Sequence, residues 1–183
     1  YIMANGPDVR VMPIIDPDAA STSLVRTSQG RSAFALAMTE FLGATKLGDG
    51  LLGYCLAADG LTSSGATAFA GIVQLFTATL RKHALASCVS LPSTAPDHVL
   101  VIANRYFDTV VVKGYQEAWV GSTPQPLAAD SWFEAHITSL KSHVSPEKLV
   151  VELGTFAVDW VSGRPQPEKR SFAQVMSALA DAQ

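Results

Sequence analysis

The stretch "GLLGYCLAADGL", Gly50 to Leu61, decides how the rest of the chain is read. From Leu51 to Ala58 it is apolar almost throughout instead of alternating, so both faces of the segment are expected to be covered. Such a run predicts a strand inside a parallel sheet. It ends in a single acid, Asp59, followed by Gly60, a residue suited to a tight turn.

Runs of the same kind recur on either side. "VRVMPIID" (Val9–Asp16) precedes it and is ended by Pro17. "LASCVSLP" (Leu85–Pro92), "DTVVVKGY" (Asp108–Tyr115) and "KLVVELGTF" (Lys148–Phe156) follow it. Helical patterns lie between them. "RSAFALAMTEFLGATKLG" (Arg31–Gly48) places Phe34, Ala37, Met38, Phe41 and Leu42 on one face, and Ser63–His83 does the same with Phe69, Ile72, Val73, Phe76 and Leu80. "SWFEAHITSLKSHV" opens with Ser131 and Glu134 at capping-box spacing, and "SFAQVMSALADAQ" opens with Ser171 and Gln174 in the same arrangement. Asp97–Tyr106 is rich in β-formers yet sits where a crossover helix belongs.

Strand and helix alternating at this spacing predict α/β architecture, as a doubly wound sheet or a (β/α) barrel. No GxGxxG or Walker motif follows any strand, which disfavours the nucleotide-binding version. In a barrel, polar residues at the C-terminal strand ends line the active face. Asp16, Asp59, Tyr115 and Gln116 stand at such ends. "GSTPQPLAAD" (Gly121–Asp130) and "SGRPQPEKR" (Ser162–Arg170) read as Pro-rich loops.

Composition narrows the function. The 183 residues are 48% hydrophobic and 16% charged, which excludes disorder and allows one domain with a sizeable core. Net charge is -3 with no basic run, so a nucleic-acid partner is not expected. Charges or small polar residues interrupt every apolar stretch before bilayer length, so no membrane span is expected. The four histidines are scattered and no Cys/His cluster has zinc spacing; neither metal nor cofactor is expected. Cys55 and Cys88 do not make a disulfide framework. They read as small core residues, although adjacent strands could bring their thiols together.

"DTVVVKGYQEAWVGSTPQPLAADSWFE" followed by "VSPEKLVVELGTFAVDW" resembles the later part of family 18 glycoside hydrolases, more narrowly the chitinase-like domains of bacterial polysaccharide-synthesis proteins. The likeness covers Phe107 to about Trp160 and extends back toward Val9. It implies a (β/α)8 TIM-type barrel of which this chain, as a single domain over residues 1–183, holds the third to seventh strands. The first, second and eighth would lie in a longer protein, or partner polypeptides would cover the open sheet edges.

The family signature, Asp-Gly-x-Asp-x-Asp-x-Glu, supplies an acid that protonates the leaving oxygen while the substrate's own N-acetyl oxygen attacks. Aligned without a gap, Leu52, Cys55 and Ala57 replace the three Asp residues, and Asp59 takes the Glu position. A second register starts at Asp49-Gly50 and puts Leu56 at the Glu. Both lose the assisting carboxylates. On the sixth family strand Lys113 replaces Met, Tyr115 is retained and Gln116 replaces Asp. On the seventh, Glu152 stands where relatives often have Gly. Asp is one methylene shorter than Glu, so its proton would fall about 1 Å short, enough to cost roughly 10²-fold. A Lys113 ammonium facing Asp59 would favour the carboxylate over the acid.

The resemblance therefore implies a catalytically degenerate domain, extracytoplasmic by analogy, that binds an N-acetylglucosamine-type glycan or holds protein partners. Asp59 and Tyr115 are the remnant catalytic candidates. Tyr115, Gln116, Trp119, Lys113, Glu152 and Asp16 are the binding candidates. Blander readings stand beside these: Asp59 as a turn residue, Lys113 extending its amine to the mouth, Tyr115 and Trp119 as packing aromatics, Trp132 packing its helix. Glu152 needs a partner on either reading. An active glycosidase using Asp59 as acid, and a purely structural module, are the alternatives.

Overall fold

The computed structural model describes residues 10–16, 27–44, 50–59, 66–118, 123–160 and 167–181. Five strands, β1 (Ile14–Ile15), β2 (Gly53–Ala57), β3 (Ala86–Leu91), β4 (Thr109–Lys113) and β5 (Leu149–Glu152), form one sheet. Every neighbouring pair is parallel, and their order across the sheet is their order in the chain. Four helices alternate with them: α1 (Ser28–Ala44), α2 (Ala66–Lys82), α3 (Asp97–Tyr106) and α4 (Asp130–His143). A doubly wound sheet reverses its strand order at a switch point. Here the order never reverses, so the sheet is wound one way only, like a segment of a barrel.

Packing agrees. One face of the sheet, with Leu56, Val89, Leu91, Val110 and Val112 fully buried, meets Phe69, Ile72, Val73, Phe76 and Leu80 of α2 and Val99 and Leu100 of α3. All five apolar residues predicted for α2 are at most 1% exposed. In α1 the prediction holds for Met38 and Leu42 and half-buried Phe34, but Ala37 and Phe41 face outward. Phe41 still packs its ring edge-on against Tyr54 at 5.7 Å. The ambiguous segment Asp97–Tyr106 is helical. Lys148 Nζ donates to the carbonyls of Asn104 and Phe107 at that helix's C-terminal end, satisfying acceptors the helix itself leaves open.

On the opposite face the period of two aligns Ile14, Cys55, Cys88 and Thr109 as one layer, and Val111 with Val150 as another. Ile14 is 64% and Val150 47% exposed, so the surface that would be the lumen of a closed barrel is partly open. Cys55 and Cys88 are joined by a disulfide bond, so the alternative of paired thiols is realised.

Beyond β5 the expectation fails in two places. The run to Phe156 is divided: β5 stops at Glu152, and β6 (Phe156–Asp159) pairs antiparallel with β7 (Glu168–Ser171). β7 takes up the end of the stretch read as a Pro-rich loop, because its short polar sequence carries no strand periodicity. α5 (Phe172–Asp181) follows, and its capping box is present: Gln174 N donates to Ser171 Oγ at 3.3 Å and Ser171 N to Gln174 Oε1 at 2.8 Å. The box predicted at Ser131 is absent. α4 starts one residue earlier, at Asp130, behind Ala129, with no side-chain cap.

Candidate functional site

The parallel winding brings the C-terminal ends of β1 to β5 to one rim, where the chain turns from strand to helix. Asp16 follows β1 and Asp59 lies two residues past β2; both are exposed. Lys113 ends β4 and is the Cα partner of Glu152, which ends β5. Gly114 then lets β4 and β5 stay in close contact. A Cβ on it would lie 2.6 Å from Val151 Cγ1 and 3.1 Å from both the Glu152 carbonyl oxygen and the Phe133 ring. Tyr115 is next, 6% exposed.

Two interactions organise the rim. Lys113 Nζ donates to Asp59 Oδ1 and to Glu117 Oε1, each at 2.9 Å. Since β3 separates β2 from β4, the first of these spans the end of β3. The lysine side chain is only 15% exposed whereas its two acceptors are close to half exposed. Burial alone would lower the ammonium's pKa, but the hydrogen bonds and charges of Asp59 and Glu117 outweigh it and raise the value well above the ordinary one. Lys113 is therefore a cation at any physiological pH.

The second interaction answers what Glu152 does in an apolar strand. Tyr115 OH donates to Glu152 Oε1 at 2.9 Å. Burial, and then the hydrogen bond and charge of Glu152, push the Tyr115 pKa up to about 12, so the hydroxyl keeps its proton and acts as a donor. Its ring meets Phe156 edge-on at 5.3 Å, and Lys169 Nζ lies 4.9 Å over the Phe156 ring. Beyond Phe156 opens a groove of about 400 Å³ lined by Gly154, Thr155, Phe156, Ala157, Phe172 and Val175. It lies beside Tyr115 and does not involve Asp59 or Lys113.

The sequence-predicted residues are thus brought together in part. Asp59 with Lys113 and Tyr115 with Glu152 form the two pairs. Gln116 donates its backbone N–H to the Leu127 carbonyl at 2.7 Å, which fixes the loop after β4. Trp119 lies outside the described residues. Glu117 was not anticipated. Its i,i+4 spacing from Lys113 was visible, but that spacing signals a contact on a helix, and residues 114–118 are loop. His136 was also passed over: its Nε2 lies 3.2 Å from the Lys113 carbonyl oxygen, and its ring is stacked on Trp132 at 4.8 Å. No group of three or more His, Cys, Asp or Glu among the described residues is placed to hold a metal ion.

Chemically, the described rim residues hold carboxylates, the Lys113 ammonium and a phenol whose proton is given to Glu152, at the mouth of a parallel sheet. Asp59 accepts a hydrogen bond from the Lys113 ammonium. Glu117 is bound in the same way by the same ammonium.

No family model matches the sequence, and no curated protein does. Solved structures do match. A class V chitinase from Pseudomonas fluorescens Pf-5 superposes with a TM-score of 0.78 at 16% identity, over 98% of this chain and 59% of its own. A chitinase from Chromobacterium violaceum ATCC 12472 gives 0.74 at 16% identity, over 94% of this chain and 57% of its own. A mutant of the second catalytic domain of Ostrinia furnacalis Group II chitinase, in complex with penta-N-acetylchitooctaose, gives 0.58 at 13% identity, over 85% and 48%. The chain thus spans about three-fifths of the length of the two bacterial chitinases. At such identities the likeness speaks for architecture: the chain has the fold of the chitinase-like barrels that its sequence resembles, as a partial TIM-type barrel of alternating strands and helices.

Proposed function

We propose that this chain is part of a chitinase-like domain that binds an amino-sugar glycan at its strand-end rim without cleaving it, within a bacterial polysaccharide or envelope assembly. The observation that carries this reading is the Lys113 ammonium between Asp59 and Glu117. General acid catalysis needs a protonated group facing the leaving oxygen. The acid at the signature position instead serves an ion pair, and Ala57, on the same strand face two residues before it, supplies no second carboxylate. Losing such preorganised charge removes a contribution of several kcal/mol to the transition state. Binding asks less. Tyr115 OH, its one proton given to Glu152 Oε1, keeps the capacity to accept a hydrogen bond, and the glycan class is suggested by the N-acetylglucosamine oligomer in the Ostrinia furnacalis complex.

Titration of the chain with N-acetylglucosamine oligomers tests the reading. Binding that is lost in Tyr115→Ala and Trp119→Ala, with no release of dye from a chromogenic chitobioside, is the expected result. Dye release abolished by Asp59→Ala would overturn it in favour of an active glycosidase. A second reading, a protein-interaction module, is favoured by Leu153, just past β5, and by Phe172 and Met176 of α5, which are 50% or more exposed. Its signature would be no glycan binding and a stable complex through that surface.

A further inference from the structure

Cys55 and Cys88 are the only two cysteines in the 183 residues. They are Cα partners in the β2–β3 ladder, lie on the same sheet face, are bonded to each other and are each 4% exposed. A shift of either cysteine by one position would turn its side chain to the opposite face. The bridge joins residues 33 positions apart and so encloses the turn at Asp59 and all of α2.

We infer that the Cys55–Cys88 disulfide is a structural staple beneath the rim and that this domain works in an oxidising compartment. Such bonds persist outside the cytosol and are reduced or kept from forming inside it. Closure is a thiol–disulfide exchange with an external disulfide, either a small molecule or a disulfide-exchange protein. One cysteine thiolate attacks that disulfide and expels one thiolate. The second cysteine then attacks the mixed disulfide and expels the other. The two cysteine thiols lose two protons, two electrons pass to the external disulfide, and it leaves as two thiols. Once closed, the staple ties β2, which leads into Asp59, to β3, across whose end Lys113 reaches.

The test uses the whole chain, exported to a bacterial periplasm, acid-quenched and denatured without reductant. The protein is expected to take up no maleimide, and two after reduction. Two labels without reductant would overturn the inference. Heating provides an independent reading. Reduction should lower the melting midpoint of the wild type by about 10 °C, from the loop-closure effect of a bridge of this span. The Cys55→Ala/Cys88→Ala variant should melt with the reduced wild type and ignore reductant. A wild-type midpoint that reduction leaves unmoved would show that the bond is no staple.

Discussion

Lys113 Nζ stands 2.9 Å from Asp59 Oδ1, so a cation from the end of β4 reaches across β3 to the only acid that closes the apolar run of β2. The same nitrogen holds Glu117 at the same distance, which places both carboxylates within two hydrogen-bond lengths of each other. The lysine thus fastens the turn after β2 to the loop after β4.

Replacing that ammonium while keeping its apolar stem tests what it does for the fold. Lys113→Met should destabilise the chain by about 1 kcal/mol at low salt, because the two acceptors are near half exposed and water already screens them. In molar salt the difference between variant and wild type should shrink, since exposed pairs are screened first. Denaturant unfolding at both salt concentrations reads this. A loss that salt does not touch would point to packing of the stem instead of charge.

Tyr115 should titrate late. Its pKa is pushed up to about 12 from the ordinary value of 10, first by burial and then by the hydrogen bond and charge of Glu152. A raised phenolic pKa means that the folded state favours the protonated form. The corresponding stability is therefore fully present below pH 10 and lost as pH rises through 12. The tyrosinate absorbance should contain a late midpoint, and Tyr115→Phe should remove it. Glu152→Gln should bring the midpoint part of the way back, since burial remains. A midpoint unmoved by that change would mean that the hydrogen bond contributes nothing.

Gly114 is the narrow point between the two pairs. A methyl group there would meet Val151 Cγ1 at 2.6 Å and the Glu152 carbonyl oxygen at 3.1 Å, so β4 and β5 must part. Gly114→Ala should cost about 1–3 kcal/mol and lower the melting midpoint by roughly 5 °C. It should also weaken the Tyr115–Glu152 hydrogen bond, seen as an earlier tyrosine titration. An unchanged midpoint would show that the strands have slack at this position.

The parts that were legible in the sequence are those governed by local pattern. Val110 and Val112 belong to an unbroken apolar run because the sheet is covered, and Phe69, Ile72, Val73, Phe76 and Leu80 recur at helical spacing because α2 buries one face. The Lys113–Asp59 contact was foreseeable for a related reason, since both residues sit at strand ends on the face that the alternation assigns them. What escaped depends on register and loop path. The Cys55–Cys88 bond, raised only as the alternative to two core thiols, needs β2 and β3 aligned at one residue, and nothing within either strand states that alignment. Glu117 reaches Lys113 through a loop, and β7 has four residues of mixed polarity with no period to read. Ser131 shows the limit of a motif: its spacing to Glu134 was right, yet α4 begins at Asp130 and leaves the box unused.

On the proposed non-cleaving reading, side-chain length and the neighbouring ammonium are two separate explanations for a silent rim, and one substitution tells them apart. Asp59→Glu restores the missing methylene but leaves Lys113 in place, with its charge fixed at physiological pH. If the ammonium is what disables the position, the longer acid will accept the same hydrogen bond, and the variant should release no dye from a chromogenic chitobioside. Stability should change little, since residue 59 is exposed at the end of its strand and has room for the extra carbon. Turnover by Asp59→Glu would show the opposite: that the shortfall of about 1 Å had been the obstacle, and that Lys113 yields its partner when a substrate arrives.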